Sequence, residues 1–149
     1  MPTIRLSTIV PAPPERCFAE SLSVDAHVAS MSGSRERVVA GVASGSMALG
    51  DTVTWRAVHF GIPFRMTSRI TAYDPPGRFV DEQVSGPFHH WRHEHLFGPV
   101  EGGTRMDDVI DYASPLGPLG RAVDALVLER YLTRLIRTRN AWLARELSH

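Results

Sequence analysis

Between Arg35 and Ala113 the chain runs through six strand-length segments and then changes period altogether. The segments are Arg35–Val42, Thr52–Phe60, Phe64–Tyr73, Arg78–Val84, His89–Phe97 and Thr104–Ala113. GSMALGD, GIP, DPPG, SGP and GPVEGG separate them, each rich in Gly, Pro or Asp. Strands that follow one another through short loops pair antiparallel. A further strand is predicted at Thr3–Val10, and PAPPE ends it because consecutive prolines cannot donate to a ladder. Pro13 and Pro14 suit the first turn of a short helix over Pro14–Ser21. A second short helix is predicted over Val24–Ser30, and Arg121–Leu147 reads as one long helix after SPLGPLG.

The long helix is uneven. From Ala122 to Leu128 only Asp124 interrupts the apolar residues, and a helix apolar all round wants cover on more than one side. Beyond it the apolar positions narrow to Leu128, Tyr131, Leu132, Leu135, Trp142 and Leu143, while Arg130, Arg134 and Arg137 share another face. The second half is therefore expected on the sheet. The first turns are expected to close a cavity or to meet a partner, a second copy of the chain or a membrane surface, through Val123, Leu126 and Val127.

Composition removes several chemistries. The formal net charge is zero, which gives no pull toward nucleic acid. All sixteen basic residues are Arg, so Schiff-base chemistry and a Lys-dependent phosphate loop are excluded. Cys17, the single cysteine, permits no internal disulfide and no Cys-based zinc site. It is expected as a small buried hydrophobe beside Phe18. No apolar run nears the length of a membrane span and the first residues lack a signal pattern, so a cytoplasmic location and no integral membrane association are expected.

The order of elements, with IRLSTIVPAPPERCF, ITAYDPPGRFVDEQVSGPFHHWRHEHLF and GGTRMDDVIDYASPLGPLG, resembles bacterial SRPBCC proteins of the polyketide cyclase/dehydrase or START-like kind. The resemblance covers essentially the whole chain, read as one domain over 1–149. It implies an α+β helix-grip fold: a curved, seven-stranded antiparallel sheet around a long C-terminal helix, with a cavity between. The family includes lipid carriers, hormone receptors, cyclases and quinone-binding proteins, so the fold does not choose a function. No catalytic motif of its enzymes matches here residue by residue.

The stretch GPFHHWRHEHLF holds four of the seven histidines. Side chains alternate along a strand, so His89, Trp91, His93, His95 and Phe97 share one face and His90, Arg92, Glu94 and Leu96 the other. The first set carries the aromatic bulk and is expected inward. Met106, Asp108, Ile110 and Tyr112 form the apolar-rich side of the next strand. A symmetric hairpin at GPVEGG would set Phe97 opposite Thr104, His95 opposite Met106, His93 opposite Asp108 and Trp91 opposite Ile110, which keeps both sets on one face. A turn at GIP likewise puts Val53, Trp55, Ala57 and His59 with Phe64, Met66, Ser68 and Ile70. For FVDEQV either parity fits the pattern. The expected ligand-binding wall is Trp55, Met66, Trp91, His93, His95, Phe97, Met106, Asp108, Ile110 and Tyr112, a mostly apolar surface with a few convergent polar groups.

Three chemistries compete for the histidines. A His-x-His pair with Asp108, and His89 in reach, invites a metal, but no third nitrogen or sulfur ligand is fixed by spacing. A His93–Asp108 pair, with Tyr112 donating to an enolate oxygen, would suit proton transfer in aldol cyclisation or dehydration. The favoured reading is a hydrogen-bonded network that orients a small, largely hydrophobic ligand, with no cofactor and no metal required. A cyclase or dehydratase acting on a carbonyl substrate, with His93, Asp108 and Tyr112 as candidates, is the main alternative.

Overall fold

The computed structural model describes residues 3–114 and 127–148. Seven strands form one antiparallel sheet in the order β1-β7-β6-β5-β4-β3-β2. They are β1 (Thr3–Val10), β2 (Arg37–Gly41), β3 (Thr52–His59), β4 (Ile62–Asp74), β5 (Arg78–Ser85), β6 (His90–Val100) and β7 (Gly103–Ala113). Two short helices, α1 (Pro14–Ser21) and α2 (Val24–Ser30), follow β1, and α3 (Glu129–Leu147) packs on the inner face of the sheet. This is the helix-grip arrangement. The segment 115–126, with Arg121, Val123 and Leu126, lies outside the described residues, and so do the expected first turns of the long helix; Val127 is exposed.

Local chemistry sets the elements. Pro14 stands at the first helical position of α1, and the Ser23 hydroxyl caps α2 by accepting from the Ala26 N–H at 3.1 Å. The β3–β4 turn is tighter than GIP suggests. Phe60 and Gly61 both take positive φ, 54° and 73°, the conformation that a two-residue hairpin matched to strand twist requires. An aromatic residue rarely adopts it; here the Phe60 ring is held against Tyr131 at 4.4 Å. The pairings Val53–Ser68, Trp55–Met66 and Ala57–Phe64 keep the expected inward face.

At the β6–β7 hairpin the expected pairing does not hold. Phe97 lies opposite Met106, His95 opposite Asp108, His93 opposite Ile110 and Trp91 opposite Tyr112. Gly102 supplies the positive φ, 82°, so the turn centres on Glu101 and Gly102 rather than one residue earlier. Moving the centre by one residue moves every partner by two, and a two-residue shift preserves parity. The inward face is unchanged while every contact along it differs.

Two apolar clusters divide the space under the sheet. One joins α1, the start of α2 and the end of α3: Cys17, Phe18, Leu22, Phe79, Phe97, Met106, Leu143 and Leu147 are all buried in it. Phe18 stands edge-on to Phe79, Phe97 and Tyr73, each at 5.6 Å, which adds to the area it buries. The Cys17 thiol is fully buried, and burial pushes it up from its ordinary pKa. The other cluster joins Ile4, Trp91, Ile110 and Tyr112 to Leu132 and Ile136 of α3. Between them lies a hollow.

Candidate functional site

The hollow has a volume of about 180 Å³, and Trp55, Met66, Ile70, Trp91, Leu132 and Ile136 supply much of its apolar wall. An engineered apolar cavity of ~150 Å³ stays dry and takes up benzene, so this one has room for a slender guest. Its polar floor is built from three strands and a helix. β6 presents His93 and His95, β5 presents Phe79 and Asp81, β7 presents Asp108, and α3 presents Arg139 and Asn140.

Each histidine bonds the carboxylate diagonal to it, not the one opposite. His93 Nε2 lies 2.7 Å from Asp108 Oδ1, and His95 Nε2 lies 2.7 Å from Asp81 Oδ2. An ionised carboxylate only accepts, so both rings carry a proton on Nε2. The rings of Phe79, His95 and His93 stack at centroid distances of 4.0 and 3.7 Å, and Trp91 meets His93 edge-on at 6.2 Å. The column leaves the imidazoles little freedom to rotate.

Asp108 is the hub. Its Oδ1 also accepts from Arg139 Nη2 at 2.9 Å, and its Oδ2 accepts from Asn140 Nδ2 at 2.7 Å. Asn140 in turn accepts from the Arg139 guanidinium and donates to Thr8 Oγ1 at 3.1 Å. Burial alone would raise the Asp108 carboxyl, but Arg139 and the His93 hydrogen bond overcome it and hold the group well below the usual carboxylate range. Burial would raise Asp81 as well, but the His95 hydrogen bond together with the charges of His93, His95 and Arg139 overcomes it and lowers the group. His95 goes the other way: burial, reinforced by His93, pushes it down to about 4. At neutral pH the floor therefore holds two carboxylates, one guanidinium and a neutral His95.

Of the ten expected wall residues, five line the hollow: Trp55, Met66, Trp91, His93 and His95. The other five do not. Phe97 is covered by Phe18 of α1, and Met106 shares that core with Leu143 and Leu147. Ile110 and Tyr112 are packed with Leu132 and Ile136. Asp108 lies behind His93 and Arg139 and acts on the hollow only through them. His89 precedes β6 and is exposed, so it is not at the floor. On the outer face Glu94 pairs with Arg78 at 2.6 Å. For FVDEQV the structure puts Phe79, Asp81 and Gln83 inward, as the Phe79–His95 stack, the Asp81–His95 bond and the Gln83–Phe88 bonds show.

Donor atoms of Asp81, His93 and His95 come within 4.8 Å of one another, a spacing that could hold a metal ion. The set differs from the expected one, with Asp81 in place of Asp108. The Nε2 atoms are already committed to carboxylates, and the Arg139 guanidinium beside Asp108 would oppose a second cation. The arrangement suits hydrogen bonding better than metal ligation.

The sequence pattern of the polyketide cyclase/dehydrase and lipid transport family matches residues 1–148. This chain belongs to that family. Among curated protein sequences none matches it. Solved structures of the same fold include the Zhui aromatase/cyclase from a Streptomyces species, at 15% identity with a TM-score of 0.78, covering 99% of this chain and 93% of that one. Protein TTHA0849 from Thermus thermophilus is 20% identical, with a TM-score of 0.75 and coverage of 95% and 97%. Protein CV1439 from Chromobacterium violaceum is 16% identical, with a TM-score of 0.74 and coverage of 99% and 97%. Membership in the polyketide cyclase/dehydrase and lipid transport family gives this chain a ligand-binding or cyclase-type role without deciding between them. Among the described residues no helix is long and apolar enough to cross a membrane.

Proposed function

We propose that the hollow binds a small, largely apolar molecule through a polar handle, and that the protein carries, sequesters or senses it. The observation that carries this reading is the contrast between wall and floor. The wall is indoles, Met66 and branched side chains, whereas the floor is a polar network whose two carboxylates are already satisfied by His93, His95, Arg139 and Asn140. A satisfied network leaves its imidazoles and guanidinium to orient a guest rather than to seek partners of their own.

Octanol, a slender chain with one hydroxyl, is a suitable probe. At a free concentration ten times its Kd it should stabilise the protein by about 1.4 kcal/mol, a rise in Tm of roughly 3–6 °C. Ala57 is buried on β3 and lines the hollow, so Ala57→Leu should fill the space and abolish the shift while the protein still melts cooperatively. No shift in the natural protein, or the same shift in the variant, would overturn the reading.

The two His–carboxylate pairs favour a second reading, a cyclase or dehydratase. A neutral imidazole can take the proton beside a ketone; the carbon's electron pair then forms the new bond to a second carbonyl carbon, and that oxygen takes up the proton as a hydroxyl. Turnover of a β-keto thioester separates this reading from simple carriage.

A further inference from the structure

A second polar cluster stands at the other end of the same hollow. His27 of α2 bonds through Nε2 to the Glu36 carboxylate, and its ring lies against Trp55 at 4.2 Å. Nearby, His59 Nδ1 lies 2.6 Å from the Tyr131 hydroxyl. His27, Glu36 and His59 all line the hollow, and Glu36 is only 9% exposed. A carboxylate so enclosed is costly unless paired, and His27 is its partner. With Nε2 committed to Glu36, His27 keeps its Nδ1, for which the described residues supply no hydrogen bond.

The two clusters are well separated. Trp55 is opposite Met66, and Asp81 is opposite Ile70. Four residues of β4 at about 3.3 Å each place them roughly 13 Å apart along the sheet, and they also lie on different strands. On β4 Met66, Ser68 and Ile70 line the stretch from one to the other, and Leu132 and Ile136 of α3 also line the hollow. The hollow is thus polar at both ends and mostly apolar at its waist, where the Ser68 hydroxyl accepts from the Trp55 indole at 3.2 Å.

We propose that its guest is elongated and mostly apolar with a hydrogen-bonding oxygen at each end, and that the His27–Glu36 pair holds the end remote from His93 and Arg139. The proposal rests on the reading of the hollow as a binding site. It also differs from a structural alternative, in which His27 and Glu36 merely latch α2 to β2.

Calorimetric titration with octanol and with the matching terminal diol, octanediol, tests it. Burying an unpaired second hydroxyl should weaken the diol at least about tenfold relative to octanol; the proposal expects the diol to bind at least as tightly. His27→Phe retains a ring on Trp55 and removes both nitrogens. It should weaken the diol about tenfold and leave octanol unchanged. If the unpaired Glu36 prevents folding, His27→Phe with Glu36→Leu gives the same comparison. A diol at least tenfold weaker than octanol in the natural protein overturns the proposal, as does a variant that changes both alcohols equally, the mark of a latch. If neither alcohol binds, the reading of the hollow as a binding site has itself failed.

Discussion

Arg139→Leu is expected to destabilise the protein by about 3–5 kcal/mol, the cost of leaving a buried charge without its partner. Asp108 is 2% exposed and its Oδ1 accepts from both Arg139 and His93. Without the guanidinium, the carboxylate keeps two neutral or titratable partners and no fixed positive charge. Such a loss is large against a total stability of roughly 5–15 kcal/mol, and urea denaturation at neutral pH would measure it. Removing both members, Arg139→Leu with Asp108→Leu, should cost clearly less than the sum of the single changes, because no buried charge then remains unpaired. A loss under about 1 kcal/mol for Arg139→Leu would show that the guanidinium does not compensate the carboxylate as its geometry implies.

The second large effect is acid lability centred on His95. Its folded pKa is pushed down to about 4 from the ordinary 6.5, first by burial and then by His93. The unfolded chain therefore binds a proton that the folded one refuses whenever the pH lies between these values. Stability from this group is undiminished above pH 6.5 and falls as the pH drops toward 4, by about 3 kcal/mol in total. His59, also lowered by burial, adds in the same direction. Asp81 and Asp108 are lowered too, but their linkage acts below their ordinary value of 3.8, outside this window. Urea midpoints at about pH 7 and pH 4.5 should therefore diverge strongly in the natural protein and much less in His95→Asn. An unchanged divergence in the variant would place the titrating group elsewhere.

The fold was legible because its signals are local. Turn residues bounded the strands, Pro14 opened α1, and the two-residue period of β6 and β7 assigned the inward face even though the pairing was displaced by two residues. Parity, however, states only which face a side chain occupies, not what covers it. Phe97 and Met106 face inward as expected, yet α1 and the end of α3 close over them. The floor was half visible. His93 and His95 stand out in sequence, whereas Arg139 and Asn140 were hidden within the helix. The signal was available: Leu132, Ile136, Leu143 and Leu147 form the buried stripe of α3, and Arg139 and Asn140 fall within it at helical spacing. Polar residues on an apolar stripe call for a buried partner, and Asp108 is that partner. Glu36 was similarly discoverable, two residues before Val38, which pairs with the inward Trp55.

Methionine methyl groups test the location of the guest most directly. Met31, Met47 and Met66 line the hollow, while Met106 lies in the core beneath the end of α3. In a methyl-labelled sample, saturating octanol should shift the Met66 resonance, with Met47 and Met31 responding beside it, and leave Met106 where it was. Bound octanol that moved Met106 alone, or none of the three lining methyls, would contradict the account.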